Sequence, residues 1–282
     1  MKILVFGVTG LVGTELEIAS KDYPVELVGL SHADIELADY QGVYEKILAE
    51  KPDAVVNLVA IPSINPCEQD PDLAFSLHVT SPLQMIKASA EIDCIYVQAS
   101  THAVFDGTKE EPYTEDDIPN PGSVYGVSKY ASEILASNLC PRHYITRLAT
   151  MYGKRRNQSL GFVDKMVGLM EEGRELRVAD DKMDSPTYAK DVGESLLKLL
   201  TQGADYGIYH LANAGVVSYY DFVCTIRDSL GLECEIHRAK DGDFPALGLK
   251  PLRTALTTTR LDPPLRPWRE ALSEYISGMQ NE

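Results

Sequence analysis

Through the first half of the chain, short continuous apolar runs alternate with longer segments in which apolar residues recur at helical spacing. Residues 2–6 form an apolar run closed by Gly7, as expected of a central parallel strand. A helix is predicted over 11–19, a strand over 25–30, and a helix over 39–50 that Lys51-Pro52 stops. Further strands are predicted over 54–58, 94–98 and 143–147. A long helix is expected over 71–90, and another over 123–138 with Ser123 as its cap. Strands alternating with helices imply an α/β fold whose parallel sheet is covered on both faces.

After Tyr152 the alternation loosens. Helices are expected over 162–172, 189–201 and 218–230, the last capped by Ser218, and a strand over 207–211. Residues 248–260 are rich in basic and hydroxyl side chains, and a final helix is expected over 267–278, starting at proline. No repeat, low-complexity segment or linker separates the halves, so a second domain would be built from insertions folded onto the first.

The 282 residues carry a formal net charge of −16, which argues against nucleic-acid binding while leaving room for a small anionic ligand. No apolar run is long enough to span a membrane, and the first residues read as a strand rather than a signal peptide. Cysteines 67, 94, 140, 224 and 234 are odd in number and lack a C-x-x-C pair, as expected of reduced thiols in a cytoplasmic protein.

Between the first strand and first helix lies Gly7-Val8-Thr9-Gly10-Leu11-Val12-Gly13. Gly7 suits a tight turn, Gly10 a close approach of backbone to a pyrophosphate, and Gly13 close packing of helix on sheet. The unpaired N–H groups of the helix would face the anion, so a dinucleotide is expected here. The second strand ends Gly29-Leu30-Ser31-His32, with no acid for a ribose diol until Asp34 and no arginine for a 2′-phosphate. That pattern leans toward NADPH and leaves NADH open.

Tyr125 and Lys129 stand four residues apart, on one helix face. A free phenol, with a pKa near ~10, is a poor proton donor at neutral pH, and an adjacent ammonium is expected to lower it. Ser100-Thr101 follows the fourth apolar run, at the strand end where ligands gather in open parallel sheets. A hydroxyl there could orient a carbonyl and stabilise developing alkoxide charge.

The glycine loop, Ser100-Thr101 and Tyr125-x-x-x-Lys129 resemble an extended short-chain dehydrogenase/reductase. Within that superfamily the chain is similar to the dTDP-4-dehydrorhamnose reductase family. The similarity extends over "VVNLVA" (55–60), "CEQDP" (67–71), "ASTHAVFDG" (99–107), "YTEDD" (113–117), "NPGSVYGVSKYASE" (120–133), "RLATMYG" (147–153), "SPTYAKDV" (185–192), "GIYHLAN" (207–213) and "WREAL" (268–272). The resemblance implies a Rossmann-type, doubly wound NAD(P)-binding domain over 1–152. It also implies a smaller, intertwined α+β region over 153–282 that mainly binds substrate, with segments around 185–215 returning to the sheet.

By the same resemblance, hydride passes from nicotinamide to a ketone of a nucleotide-linked 6-deoxy sugar, with Thr101, Tyr125 and Lys129 catalytic. Tyr125 would donate the proton, Lys129 would hold the nicotinamide ribose and tune Tyr125, and Thr101 would bond the carbonyl oxygen. Gly7, Thr9, Gly10, Leu11, Val12 and Gly13 would line the dinucleotide. Ser31, Asp34 and Ile35 would lie near adenosine, Leu58, Val59 and Ala60 near the nicotinamide ribose, and Ser100 beside the cofactor or backbone. Thr101, His102, Ala103, Asn157 and Arg253 would meet the substrate.

Two departures stand out. The family usually carries Asp-Tyr where this chain has His102-Ala103, and commonly an asparagine where it has Leu77-His78. Lys154-Arg155-Arg156, Lys250, Arg253 and Arg260 could supply a diphosphate pocket. The six histidines show no metal-ligand spacing, and His143 and His210 read as core. Glu15 reads as a surface acid; some relatives place acids there at a magnesium-bridged dimer interface, but no metal site is predicted, and a homodimer is compatible with this picture. Two other functions use the same scaffold. One is epimerisation or dehydration with tightly held cofactor; the other is a cofactor-binding regulatory role like that of the methionine adenosyltransferase beta subunit.

Overall fold

Strands that are apolar along their whole length need cover on both faces, and the apolar runs of the first half form the middle of one sheet. The computed structural model describes residues 1–156 and 161–280. In chain order the fold opens with β1 (Lys2–Phe6), α1 (Leu11–Ala19), β2 (Glu26–Leu30), α2 (Tyr40–Glu50) and β3 (Ala54–Asn57). Next come α3 (Ile64–Gln69), α4 (Pro71–Phe75), α5 (Ser81–Glu91), β4 (Ile95–Thr101), α6 (Val124–Leu139) and β5 (His143–Leu148). Then follow β6 (Met151–Tyr152), α7 (Phe162–Glu171), β7 (Leu176–Ala179), β8 (Met183–Asp184), β9 (Thr187–Tyr188) and α8 (Ala189–Thr201). The last elements are β10 (Gly207–Leu211), β11 (Val217–Ser218), α9 (Tyr219–Leu230), β12 (Ile236–Ala239) and α10 (Trp268–Gln280).

Six strands pair in the order β10-β5-β4-β3-β1-β2, every pair parallel. Side chains of β1 alternate between faces: Ile3 and Val5 pack with α1 and α8, while Leu4 and Phe6 pack with α2 and α5. The order reverses at β1, which opens a crevice at the C-terminal ends of β1 and β3. Outside this sheet, β11 pairs with β8, β12 with β7 and β6 with β9; Tyr152, Val163, Phe222, Trp268 and Tyr275 form one separate core, and Leu176 and Val178 of β7 pack with Met170 and Val223 in another.

Several expected elements shift. The helix expected over 71–90 is interrupted by a π-helical stretch, Ser76–Thr80. Pro82 has no N–H for the His78 carbonyl and its ring would crowd it; the ladder slips, and Ser81 N–H reaches back to Ser76. The fourth strand runs on to Thr101, carrying Ser100 and Thr101 inside the sheet. The third stops at Asn57, whose side-chain oxygen accepts the Val59 N–H at 3.1 Å and turns the chain. Glu15 is not a surface acid. It is 8 % exposed beneath α8, where Gly193 lets the helices touch: a Cβ there would come within 2.9 Å of the Glu15 backbone. Burial pushes its carboxyl pKa up, against the pull of Lys190 and Lys154. His143, expected in the core, is half-buried at the start of β5, bonded to the Cys140 carbonyl at 2.8 Å. His210 is fully buried, and burial lowers its pKa to about 4.

One ion pair is sealed inside the sheet–helix layer. Arg147 on β5 and Glu133 on α6 are 1 % and 2 % exposed and joined by Nη2–Oε2 at 2.8 Å, with Nε to both carboxylate oxygens. Ser100 of β4 donates to the same carboxylate, and the guanidinium lies 5.1 Å over the Phe105 ring. Removing one partner strands the other charge. Arg147→Met is expected to cost about 3–5 kcal/mol in urea unfolding, and Arg147→Met/Glu133→Leu to recover much of that loss.

Candidate functional site

The glycine loop sits at the crevice where the sheet order reverses. Gly7 has φ +87°, and the space its missing Cβ leaves is closed by the Leu58 and Val59 backbone at 3.3 Å. That brings the stretch 58–60 beside residues 7–13. At Gly13 a Cβ would come within 2.4 Å of the Gly7 carbonyl, so only glycine lets α1 start this close to the strand. The start of α1 has no side-chain cap and no acid in its first turn, which leaves its N–H groups for an anion. At the end of β2, Ser31 donates its N–H and hydroxyl to Asp34 at 2.8 and 2.6 Å. Those bonds hold the exposed Asp34 carboxyl below its ordinary range.

Thr101 ends β4, buried, and its hydroxyl accepts the Ala103 N–H at 3.2 Å. Helix α6 starts at Ser123, whose hydroxyl accepts the Gly126 N–H at 3.2 Å. A Cβ on Gly126 would lie 2.3 Å from the Ala103 carbonyl, and this close approach sets Tyr125 near enough to Thr101 for that hydroxyl to act on the phenol. Burial raises the Tyr125 phenol pKa and the Thr101 bond pulls it back, so the expected lowering by Lys129 is not what acts on it. Lys129 is 2 % exposed; burial lowers its pKa to about 8, against Glu133 one turn further on. Ser100 has a different partner from the one expected, since its hydroxyl is given to Glu133.

His78 was a departure without a role, and it proves to be a connector. It is fully buried in the π-helical stretch, where its Nε2 accepts the Ile61 N–H at 2.9 Å and its Nδ1 meets the Ser128 hydroxyl at 2.8 Å. Ser128 in turn donates to the Tyr125 carbonyl at 3.0 Å. Because Ile61 is a donor, the ring is the neutral Nδ1–H tautomer. Its edge lies against the Tyr125 ring at 5.8 Å, and burial lowers its pKa to about 3.

A cleft of about 260 Å³ opens beside these groups, lined by His102, Ala103, Tyr125, Lys182, Tyr219 and Lys250 among others. Of the basic residues singled out in the sequence, Lys250 lines it, paired with Asp241 at 2.9 Å. Arg253 is exposed on a backbone bridge with Met183 and does not line the cleft. Arg260 stacks on Tyr209, and Arg156 pairs with Glu17. Asn157 lies outside the described residues. Lys182 and Tyr219, which no motif marked, form the far wall.

A parallel sheet with a glycine loop at its switch point, and a Thr–Tyr pair with a buried lysine at its edge, define an extended short-chain dehydrogenase/reductase. The family model described as RmlD substrate binding domain matches residues 1–281, and the chain belongs to that family. It is 34% identical over 278 residues to the spore coat polysaccharide biosynthesis protein SpsK of Bacillus subtilis, covering 98% of this chain and 96% of that protein. It is 30% identical over 286 residues to the dTDP-4-dehydrorhamnose reductase of Mycolicibacterium smegmatis, covering 99% and 86%. Among solved structures, a dTDP-4-dehydrorhamnose reductase from Clostridium acetobutylicum superposes with a TM-score of 0.94 at 31% identity, covering 99% of this chain and 100% of that one.

His78 links stability to acid. Its folded pKa of about 3 lies below the ordinary value of 6.5, so between those values the unfolded chain binds more protons and stability falls as pH falls. His78→Asn should flatten that slope in unfolding measured from neutral pH down to about 4. His78→Ala, which orphans the Ile61 N–H, should in addition cost about 1–3 kcal/mol at neutral pH.

Proposed function

We propose that the protein reduces the keto group of a nucleotide-activated 6-deoxy sugar, as its dTDP-4-dehydrorhamnose reductase relatives are named for doing. The observation that carries the reading is the close approach of α6 to the end of β4, which sets Tyr125 on the cleft wall beside Thr101, with Lys129 buried one turn behind. Family membership and identities of 30% and 31% over nearly the whole chain support it.

The residues fit a nicotinamide dinucleotide. Gly10 and Gly13 keep Cβ atoms out of the loop, and the uncapped first turn of α1 would take the pyrophosphate. Asp34, drawn to Ser31 at the end of β2, stands where an acid receives a ribose diol, so the site suits NADH as well as NADPH. When bound, the reduced cofactor supplies the hydride.

The chain's own groups do the rest. Thr101 and Tyr125 hold the carbonyl oxygen with their hydroxyls. Burial keeps Tyr125 protonated until charge develops on that oxygen, and its proton then moves there. Lys129, buried one turn further along α6, would hold the nicotinamide ribose with its ammonium. His78 and Ser128 hold the Tyr125 backbone while this happens.

With a dTDP-4-keto-6-deoxyhexose, Tyr125→Phe should lower kcat by about 10²–10⁴-fold while cofactor binding, followed by fluorescence, persists. A variant turning over at the wild-type rate would contradict the mechanism. The wild-type rate should fall as pH rises through about 8, where Lys129 loses its proton.

A further inference from the structure

We propose that residues 244–250 form a strap across the cleft, latched to Asn65 on α3, that lifts to admit the nucleotide sugar and re-docks over it. The proposal rests on the reductase reading above for what enters, and adds a moving part to the same cleft.

The strap comes from the second half of the chain and reaches across to the first. Pro245, Ala246 and Lys250 line the cleft together with Ile64 and Asn65 of α3. At the middle of the strap, the Leu247 N–H donates to the Asn65 side-chain oxygen at 3.0 Å. Beside this latch, a Cβ on Gly248 would come within 2.3 Å of the Glu68 carboxylate, and one on Gly122 within 2.3 Å of the Leu249 side chain. Glycine at both places lets the strap settle against the first half. Glu68 also accepts the Val124 N–H at 2.8 Å, in the turn of α6 that carries Tyr125.

The segment is built to move as a unit. Its ends are pinned: the Asp241 N–H donates to Asp181 at 2.8 Å, and the Pro251 carbonyl accepts the Lys182 ammonium at 3.1 Å. Lys250 closes the loop on itself, reaching the Asp241 carboxylate at 2.9 Å and the Phe244 carbonyl at 2.8 Å. The middle is lightly held. None of residues 242–249 is buried, and Phe244, Leu247 and Leu249 are exposed. Among the described residues, the Asn65 bond is the one hydrogen bond from 244–250 to any residue outside 241–250. A segment with pinned ends, one tie and little buried apolar surface opens at low cost. The rest of the cleft is firm: His102 meets the buried Asp184 at 3.2 Å, and Tyr219 meets the Thr150 hydroxyl at 2.9 Å.

Size supplies the need for opening. With the strap docked the cleft holds about 260 Å³. Sites for drug-sized ligands hold ~300–1,000 Å³, and a nucleotide-linked sugar is no smaller than those ligands. The glycine loop does not line this cleft, so dinucleotide binding does not require the strap to lift.

The test tethers the strap. Asn65→Cys and Leu247→Cys, in a chain with Cys224→Ser and Cys234→Ser that keeps the buried Cys67, Cys94 and Cys140, are joined by a short bis-methanethiosulfonate. Mass spectrometry verifies the tether, and a thiol reductant removes it. Tethered protein should bind a dTDP-6-deoxyhexose more slowly in stopped flow, on the order of 10-fold or more, with kcat/KM for the 4-keto sugar falling in parallel. NADPH binding, followed by fluorescence, should be unchanged, and reduction should restore both rates. Asn65→Ala, which removes the latch, should instead speed dissociation of the dTDP-6-deoxyhexose by about 2- to 10-fold, the effect of one hydrogen bond. Deuterium exchange at 246–250 should slow when that sugar joins NADP-loaded protein, and not with NADP alone.

Tethered protein that takes up the sugar at the wild-type rate overturns this proposal alone, as does exchange at 246–250 that the sugar leaves unchanged. A wild type that binds no nucleotide-linked sugar overturns the reductase reading and this proposal with it.

Discussion

The site depends on charges held out of water. Glu133 and Arg147 are sealed between helix α6 and the sheet, and each is tolerable there only because the other is fixed in place. Their pairing joins β5 to α6, and the Ser100 hydroxyl adds β4, the strand that ends in Thr101. Lys129 lies one turn before Glu133 on the same helix, so a single carboxylate serves a direct partner and influences a second cation. Slipping α6 along the sheet would break the ion pair and separate Tyr125 from Thr101 together. Stability and the placement of Tyr125 against Thr101 are thus set by the same contact.

A second tie acts at the other side of Tyr125. His78, turned inward by the π-helical stretch that Pro82 imposes, connects the loop after β3 to the first turn of α6 through Ser128. The loop residues from Leu58 onward also lie against Gly7. The glycine loop, the turn after β3 and helix α6 are therefore a connected series of close contacts, and little of it relies on long flexible side chains. The far wall of the cleft is different in character, with Lys182, Tyr219 and Lys250 supplied by the second half of the chain.

Much of the fold was legible in the sequence, because apolar runs and helical spacing are local signals. The central strands and the helices opening at residues 11 and 189 follow that pattern closely. The interruption at Ser76–Thr80 was less legible, since Pro82 acts four residues upstream and its effect depends on His78 finding buried partners. At the site, the glycine loop and the Tyr-x-x-x-Lys spacing are visible because each lies within one local element. Glu133 with Arg147 and His102 with Asp184 were not, since each pair joins residues from separate elements. Glu15 looked like a surface acid because helical position alone does not reveal that α8 covers it. Lys182 carried no signal at all; its place in the cleft follows from how the second half folds back.

The central claim is a direct transfer of hydride to a ketone carbon whose oxygen is protonated by Tyr125. Deuterium placed at the transferable position of the reduced nicotinamide tests it most directly, with the sugar product read by mass spectrometry and nuclear magnetic resonance. The account predicts a product one deuterium heavier, labelled at the carbon that had carried the carbonyl. Unlabelled product, or label drawn at that carbon from deuterated solvent instead, would contradict it.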